Sequence, residues 1–274
     1  MNTLERRTYP PAPTCQDTDS TSTFRLTLIV TLLLSLLLLT PTSSSAVTKR
    51  DKHKRVPSSQ LTRAEVKEAE RRLSEMGYWT GPVDGVVDGV TKTALVAFQK
   101  WEDRKVTGGL TRDDFVAILN ARAPQPRESG YSHVEVDIDR QVLVLFDDDG
   151  EVQRILPIST GSGKPYQYKG VGDLAYTPRG RFRVYSKLSG WRRSPLGLLY
   201  YPNYFNGGLA IHGNPSVPQT PQSHGCIRIP MSAAVEVSRQ LPVGTIVLIY
   251  DKQSFVSAKN WAEADRQKQE AKVR

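Results

Sequence analysis

The residues best suited to chemistry stand together near the C-terminal end, as Ser223-His224-Gly225-Cys226-Ile227-Arg228 with His212-Gly213 upstream. A cysteine beside glycine, with imidazoles in reach, is the set a thiol nucleophile needs. A free thiol titrates near ~8.5 and is scarcely ionised at neutral pH. A nearby imidazole takes its proton or stabilises the thiolate as imidazolium. His224 lies two positions from Cys226 and shares a face with it only in extended chain. His212 ends the strand-like run Leu209-Ala210-Ile211, where a base on a neighbouring strand approaches sulfur without distorting the loop. His212 is therefore the expected general base. Acyl chemistry also needs oxyanion donors. Gly225 admits close backbone approach, so the N–H groups of Gly225 and Cys226 are the expected pair, each typically contributing ~3 kcal/mol.

The competing reading is bland: cysteines are usually small buried hydrophobes, and histidines often satisfy core polar groups. Cysteine placement weighs against it. The chain has 2 cysteines among 274 residues, and Cys15 precedes an apolar run, Leu26 to Leu39. Fourteen helical residues make roughly 21 Å, short of a ~30 Å hydrocarbon core. With Arg25 before it and Ser44 and Ala46 after it, residues 1–46 read as a signal peptide or a signal anchor. Either one exports the remainder of the chain and separates Cys15 from Cys226. A lone thiol in an oxidising compartment is a liability unless it is buried or useful.

The net charge is +9, and residues 1–46 balance Arg6, Arg7 and Arg25 against Glu5, Asp17 and Asp19. The exported part is thus basic and suited to polyanionic neighbours. Export, and the lack of any zinc finger or RNP pattern, argue against nucleic acid. His53 lies in a basic stretch, and His133 starts a strand with nothing chemical beside it. The four histidines make no zinc spacing, so no metal and no cofactor are expected.

Residues 47–60 are basic and polar and read as a linker. From Leu61 the spacing turns helical. Thr62, Thr91 and Thr111 are expected caps of three helices, with Gly77 as a stop after the first. Residues 121–130, with Pro124 and Pro126, read as a second linker. Beyond them the period changes to two. Strands are expected at Val134 to Ile138, Val142 to Phe146, Val152 to Ile158, Gly180 to Tyr185, Gly208 to His212 and Thr245 to Tyr250. Ser232 to Leu241 is the expected helix of this half, and residues 251–274 form a charged tail. The fold class is a mainly β catalytic domain, a sandwich or barrel over 131–250, preceded by a small three-helix domain over 61–120.

Two resemblances emerge from these motifs. Gly77-Tyr78-Trp79, Gly81-Pro82-Val83-Asp84-Gly85-Val86 and the stretch from Thr91 to Gln99 are similar to the peptidoglycan-binding module of wall enzymes. His212-Gly213 with Ser223-His224-Gly225-Cys226 resembles the signature of L,D-transpeptidase catalytic domains of the YkuD type. Thr177-Pro178, Tyr204-Phe205-Asn206-Gly207-Gly208 and the hairpin Val134 to Thr160 extend that likeness. The resemblance implies Cys226 as nucleophile and His212 as proton acceptor and donor, with Ser223, His224 and Gly225 shaping the loop and oxyanion site. It also implies substrate contacts from Arg228, Gly213, Tyr204 and Asn206, with peptidoglycan stem peptides and glycan as partners. Membrane contact is expected only through an uncleaved N-terminal segment. The implied activity is cross-link formation through a cysteine thioester. An inactive wall binder and a cysteine carboxypeptidase or hydrolase of stem peptides are the alternatives. Arg228 stands where many relatives carry Asn, and either binds a stem carboxylate or braces the loop. Trp191, Tyr200, Tyr201 and Tyr204 are candidates for the cleft wall or for the core.

Overall fold

The computed structural model describes residues 60–254. The leader or anchor, Cys15, His53, nearly all of the basic linker and most of the charged tail lie outside them.

Three helices come first, α1 (Arg63–Glu75), α2 (Gly89–Trp101) and α3 (Arg112–Asn120). Thr62 and Thr111 cap α1 and α3 with reciprocal capping boxes through Glu65 and Asp114. The expected cap Thr91 is instead inside α2. Asp88 is the N-cap, its carboxylate accepting from Val90 and Thr91 N–H. The Thr91 hydroxyl is buried and donates to Glu70 Oε1 at 2.9 Å.

The strands are β1 (His133–Asp137), β2 (Val142–Phe146), β3 (Val152–Pro157), β4 (Pro165–Tyr168), β5 (Val171–Leu174), β6 (Gly180–Arg183), β7 (Ser186–Lys187), β8 (Trp191–Ser194), β9 (Gly197–Asn206), β10 (Leu209–Asn214), β11 (Ile227–Pro230) and β12 (Ile246–Tyr250). Helix α4 (Met231–Gln240) lies between the last two. One sheet runs β3-β2-β1-β12-β6 and a second β11-β10-β9-β7, with β8 added to β9. Strands β4 and β5 make a hairpin of their own. The expected mainly β class with a helical preface is what the chain adopts.

Period-two alternation explains the packing. Leu143 and Leu145 face the interior between the sheets and α4, in a core with Val134, Val136, Ile211, Ile227 and Ile229. Their neighbours Val142, Val144 and Phe146 point the other way, where they join Leu73, Leu95, Phe98 and Ile118 of the helices in a second core. The three helices therefore roof one sheet. Tyr78 forms a parallel bridge with Ile155, whose N–H donates to Gly77 O at 2.8 Å. Gly77 has φ +93°, and a Cβ there would meet Val152 Cγ1 at 2.5 Å, so glycine ends the helix and admits β3.

The alternate residues of β1 are polar yet buried. His133 Nε2 lies 3.2 Å from Glu135 Oε1, and Glu135 also accepts from the Arg127 N–H and the Tyr250 hydroxyl. His133 is thus a structural histidine with a carboxylate beside it, a neighbour that its local spacing gave no reason to single out.

Candidate active site

Strands β10 and β11 are parallel, with Ile211 opposite Ile227 and His212 opposite Arg228. Alternation then sorts the side chains. Ile211, Ile227 and Ile229 enter the core, while His212, Arg228 and Cys226, two residues before Arg228, share the opposite face. His212, Cys226, Arg228, His224, Tyr204 and Asn206 all line one cleft of about 960 Å³. Both members of the pair singled out in the sequence line that cleft, His212 from β10 and Cys226 from the residue just before β11.

His212 is almost wholly buried, at 3% exposure. Its Nδ1 lies 2.9 Å from Gly213 O. A carbonyl only accepts, so Nδ1 carries the proton and Nε2 keeps its lone pair. Burial pushes its pKa down to about 4, against which the Gly213 carbonyl acts, while the Arg228 charge reinforces it. The ring is neutral at physiological pH. Burial likewise pushes the half-buried Cys226 thiol up, partly offset by the Ala210 backbone and the Arg228 charge. The cleft at rest thus carries a neutral thiol and a neutral imidazole.

The loop before Cys226 is tied at nearly every polar group. Ser223 is buried; its hydroxyl donates to Cys226 O at 2.6 Å and accepts from Gly225 N–H at 3.0 Å. The Ser223 N–H donates to Thr160 O, and Ser162 N–H donates to Ser223 O. Thr177, buried, donates to Gly225 O at 2.8 Å and accepts from Gly161 N–H at 2.8 Å. Gly225 has φ +134°, and a Cβ would stand 2.7 Å from Tyr176 O. No other residue fits that approach.

Several expectations change here. The Gly225 N–H is committed to Ser223, so it is not a free oxyanion donor, and Cys226 N–H is the member of the expected pair left for that role. Gly213 does not line the cleft: alternation turns it opposite to His212, where an added Cβ would sit 2.6 Å from Ala234 Cβ in α4. Its contribution is the carbonyl that orients the imidazole. Trp191, Tyr200 and Tyr201 are also absent from the cleft wall; Trp191 lies tilted against Tyr200, which packs on the core. Tyr204 and Asn206 do line it. His224 is exposed at the mouth, edge-on to Tyr166 of the β4–β5 hairpin with ring centroids 4.7 Å apart. Arg192 and Arg193 of β8 join Arg228 on the wall against a lone acidic group there, Asp173. Thr177 was legible only as part of a resemblance, since nothing local marks its two hydrogen bonds.

Thr177→Val keeps the shape and removes both bonds. It is expected to cost about 1–3 kcal/mol, because Gly225 O and Gly161 N–H are left unsatisfied. Urea unfolding read by fluorescence would show the loss, and an unshifted midpoint would refute it.

The two-sheet frame and its cleft define a class: β-rich proteins carrying a thiol and an imidazole on the wall of one cleft. The family model of the YkuD L,D-transpeptidase catalytic domain matches residues 131–249. That of a putative peptidoglycan binding domain matches residues 62–115. Among solved structures, an L,D-transpeptidase from Xylanimonas cellulosilytica is 38% identical, with a TM-score of 0.65 over 68% of this chain and 93% of that one. An L,D-transpeptidase from Stackebrandtia nassauensis is 19% identical, with a TM-score of 0.42 over 68% of this chain and 90% of that one. No curated protein matches. The chain belongs to the L,D-transpeptidase family.

Proposed function

We propose that the protein is an extracytoplasmic enzyme that cross-links peptidoglycan stems through a thioester on Cys226, with His212 as the proton carrier. The observation that carries this reading is the hydrogen bond from His212 Nδ1 to Gly213 O, which leaves Nε2 as the free base in the cleft that holds the thiol.

The neutral pair sets the order of events. As Cys226 Sγ attacks the carbonyl of the third stem residue, its proton passes to His212 Nε2. The Cys226 N–H serves the developing oxyanion. The C–N bond to the terminal D-alanine then breaks, and the departing amine takes the proton from the imidazolium. An amine of a neighbouring stem attacks the thioester and gives its proton to His212. The Cys226 thiolate leaves and takes that proton back from the imidazolium. Three arginines against one aspartate on the wall suit stems that carry free carboxylates. The helical part, residues 61–120, keeps the catalytic part, residues 131–250, on its insoluble polymer and raises the local concentration of stems.

Purified stem tetrapeptides, incubated with the enzyme and weighed, are expected to yield a cross-linked dimer and free D-alanine. Cys226→Ala is expected to yield neither. A tripeptide without dimer would identify water as the acceptor and overturn transpeptidation. Unchanged products from the alanine variant would overturn the nucleophile.

A further inference from the structure

We propose that Lys100, on helix α2 of the roof, is a positioning residue for the Cys226 loop and acts on it through Gln141 and Thr160. The inference rests on the reading of Cys226 as the nucleophile.

Lys100 is 7% exposed, and no carboxylate pairs with it among the described residues. Its Nζ reaches two backbone carbonyls of the β unit, Gln141 O at 3.4 Å and Ile158 O at 3.3 Å. A buried ammonium with only carbonyl partners carries a desolvation penalty. Burial accordingly pushes its pKa down to about 8. Methionine would fill the same space without that penalty. Stability alone therefore does not account for an amine at this position.

What the amine holds is a bracket. Gln141 sits in the β1–β2 turn at φ +54°, a left-handed conformation unfavourable for a side chain of its size. Its carbonyl accepts from both Lys100 and Ile158 N–H. Its amide side chain grips Thr160 at both ends, Nε2 donating to the hydroxyl at 2.8 Å and Oε1 accepting from the N–H at 2.9 Å. Thr160 O in turn accepts from Ser223 N–H at 2.9 Å. Ser159, between the lysine-held and glutamine-held residues, exchanges backbone hydrogen bonds with Arg228 in both directions. Segment 158–162 is thus a rail beneath the nucleophile loop, and Lys100 fixes one end of it. Without Lys100, Gln141 loses a contact that favours its strained backbone, and the rail gains freedom. Displacing a reacting atom by a fraction of an ångström changes the chemical step far more than it changes binding.

The test compares wild type, Lys100→Met, Gln141→Ala and the double variant, all as full-length protein. Carbapenem acylation of Cys226 is followed by mass, and kcat and KM are measured on stem tetrapeptides. Lys100→Met is expected to melt at or above the wild-type temperature, yet to acylate about tenfold more slowly, with kcat reduced and KM unchanged. Gln141→Ala is expected to be slowed similarly, and the double variant no further than the slower single, since both cut one path. A folded Lys100→Met that acylates at the wild-type rate overturns the proposal, as do losses that multiply in the double variant. If Lys100→Met does not fold, Thr160→Val decides. It removes the hydroxyl end of the grip, and an unchanged rate there overturns the path. A wild type that takes up no carbapenem at Cys226 overturns the nucleophile itself and the relay with it. Normal wild-type acylation with an equally fast Lys100→Met overturns the relay alone.

Discussion

Cut back to residues 131–254, the β unit is expected to unfold or aggregate at temperatures where the full chain is folded. The reason is the second core. Val142, Val144 and Phe146 of β2 and Ile155 of β3 are at most 3% exposed, and the helical roof is what covers them. Uncovering four such side chains forfeits roughly 6–12 kcal/mol at ~1.5–3 kcal/mol each. That is an upper bound, since unfolded chains retain some burial. It still matches the whole ~5–15 kcal/mol of a typical domain. Circular dichroism melts and gel filtration of the shortened chain would check this. A monomer that melts within a few degrees of the full chain would show that the roof is dispensable.

Replacing His212 by Gln is expected to lower kcat/KM at neutral pH by about 10²–10⁴-fold, the usual contribution of a positioned proton carrier. The pH dependence gives the sharper signature. Because burial holds His212 near about 4, its base form persists well below the ordinary imidazole range. The acidic limb of kcat/KM is therefore expected near pH 4, with a plateau still present at pH 6. A limb at pH 6.5 would show that the ring is not held as the structure places it. Stability depends on the same group with a definite sign. The unfolded chain binds the imidazole proton at its ordinary value of 6.5, and the folded chain only near 4. Unfolding is therefore favoured as pH falls from 6.5 towards 4, by roughly 3 kcal/mol at most. In His212→Gln that part of the acid loss should vanish.

Much of this architecture was readable from residue order where one physical signal dominated. Strand β1 alternates apolar with polar residues, β2 and β12 are unbroken apolar runs buried throughout, and Thr62 and Thr111 announce their helices through capping boxes. The exposed strands β4, β5 and β8 carry no such pattern. They are held by ladder hydrogen bonds and by neighbouring strands, not by a buried stripe. Within the site, Cys226 and His212 were legible as types, and the parallel pairing of β10 with β11 brings both to one cleft. Gly213 was misassigned because adjacency in sequence is opposition in a strand. The commitment of the Gly225 N–H escaped notice because its partner, the Ser223 hydroxyl, is found only once the loop folds. Gln141, Thr160 and Thr177 work through hydrogen bonds spanning many residues, which no local spacing encodes.

The contact of Tyr78 with Ile155 also bears on how this protein behaves when crowded. Strand β3 ends its sheet, and a bare terminal strand offers unpaired N–H and C=O groups to any passing chain. Here the peptide just after α1 occupies part of that border, with Gly77 O taking the Ile155 amide. The molecule thereby supplies its own partner at a place where self-association would otherwise begin.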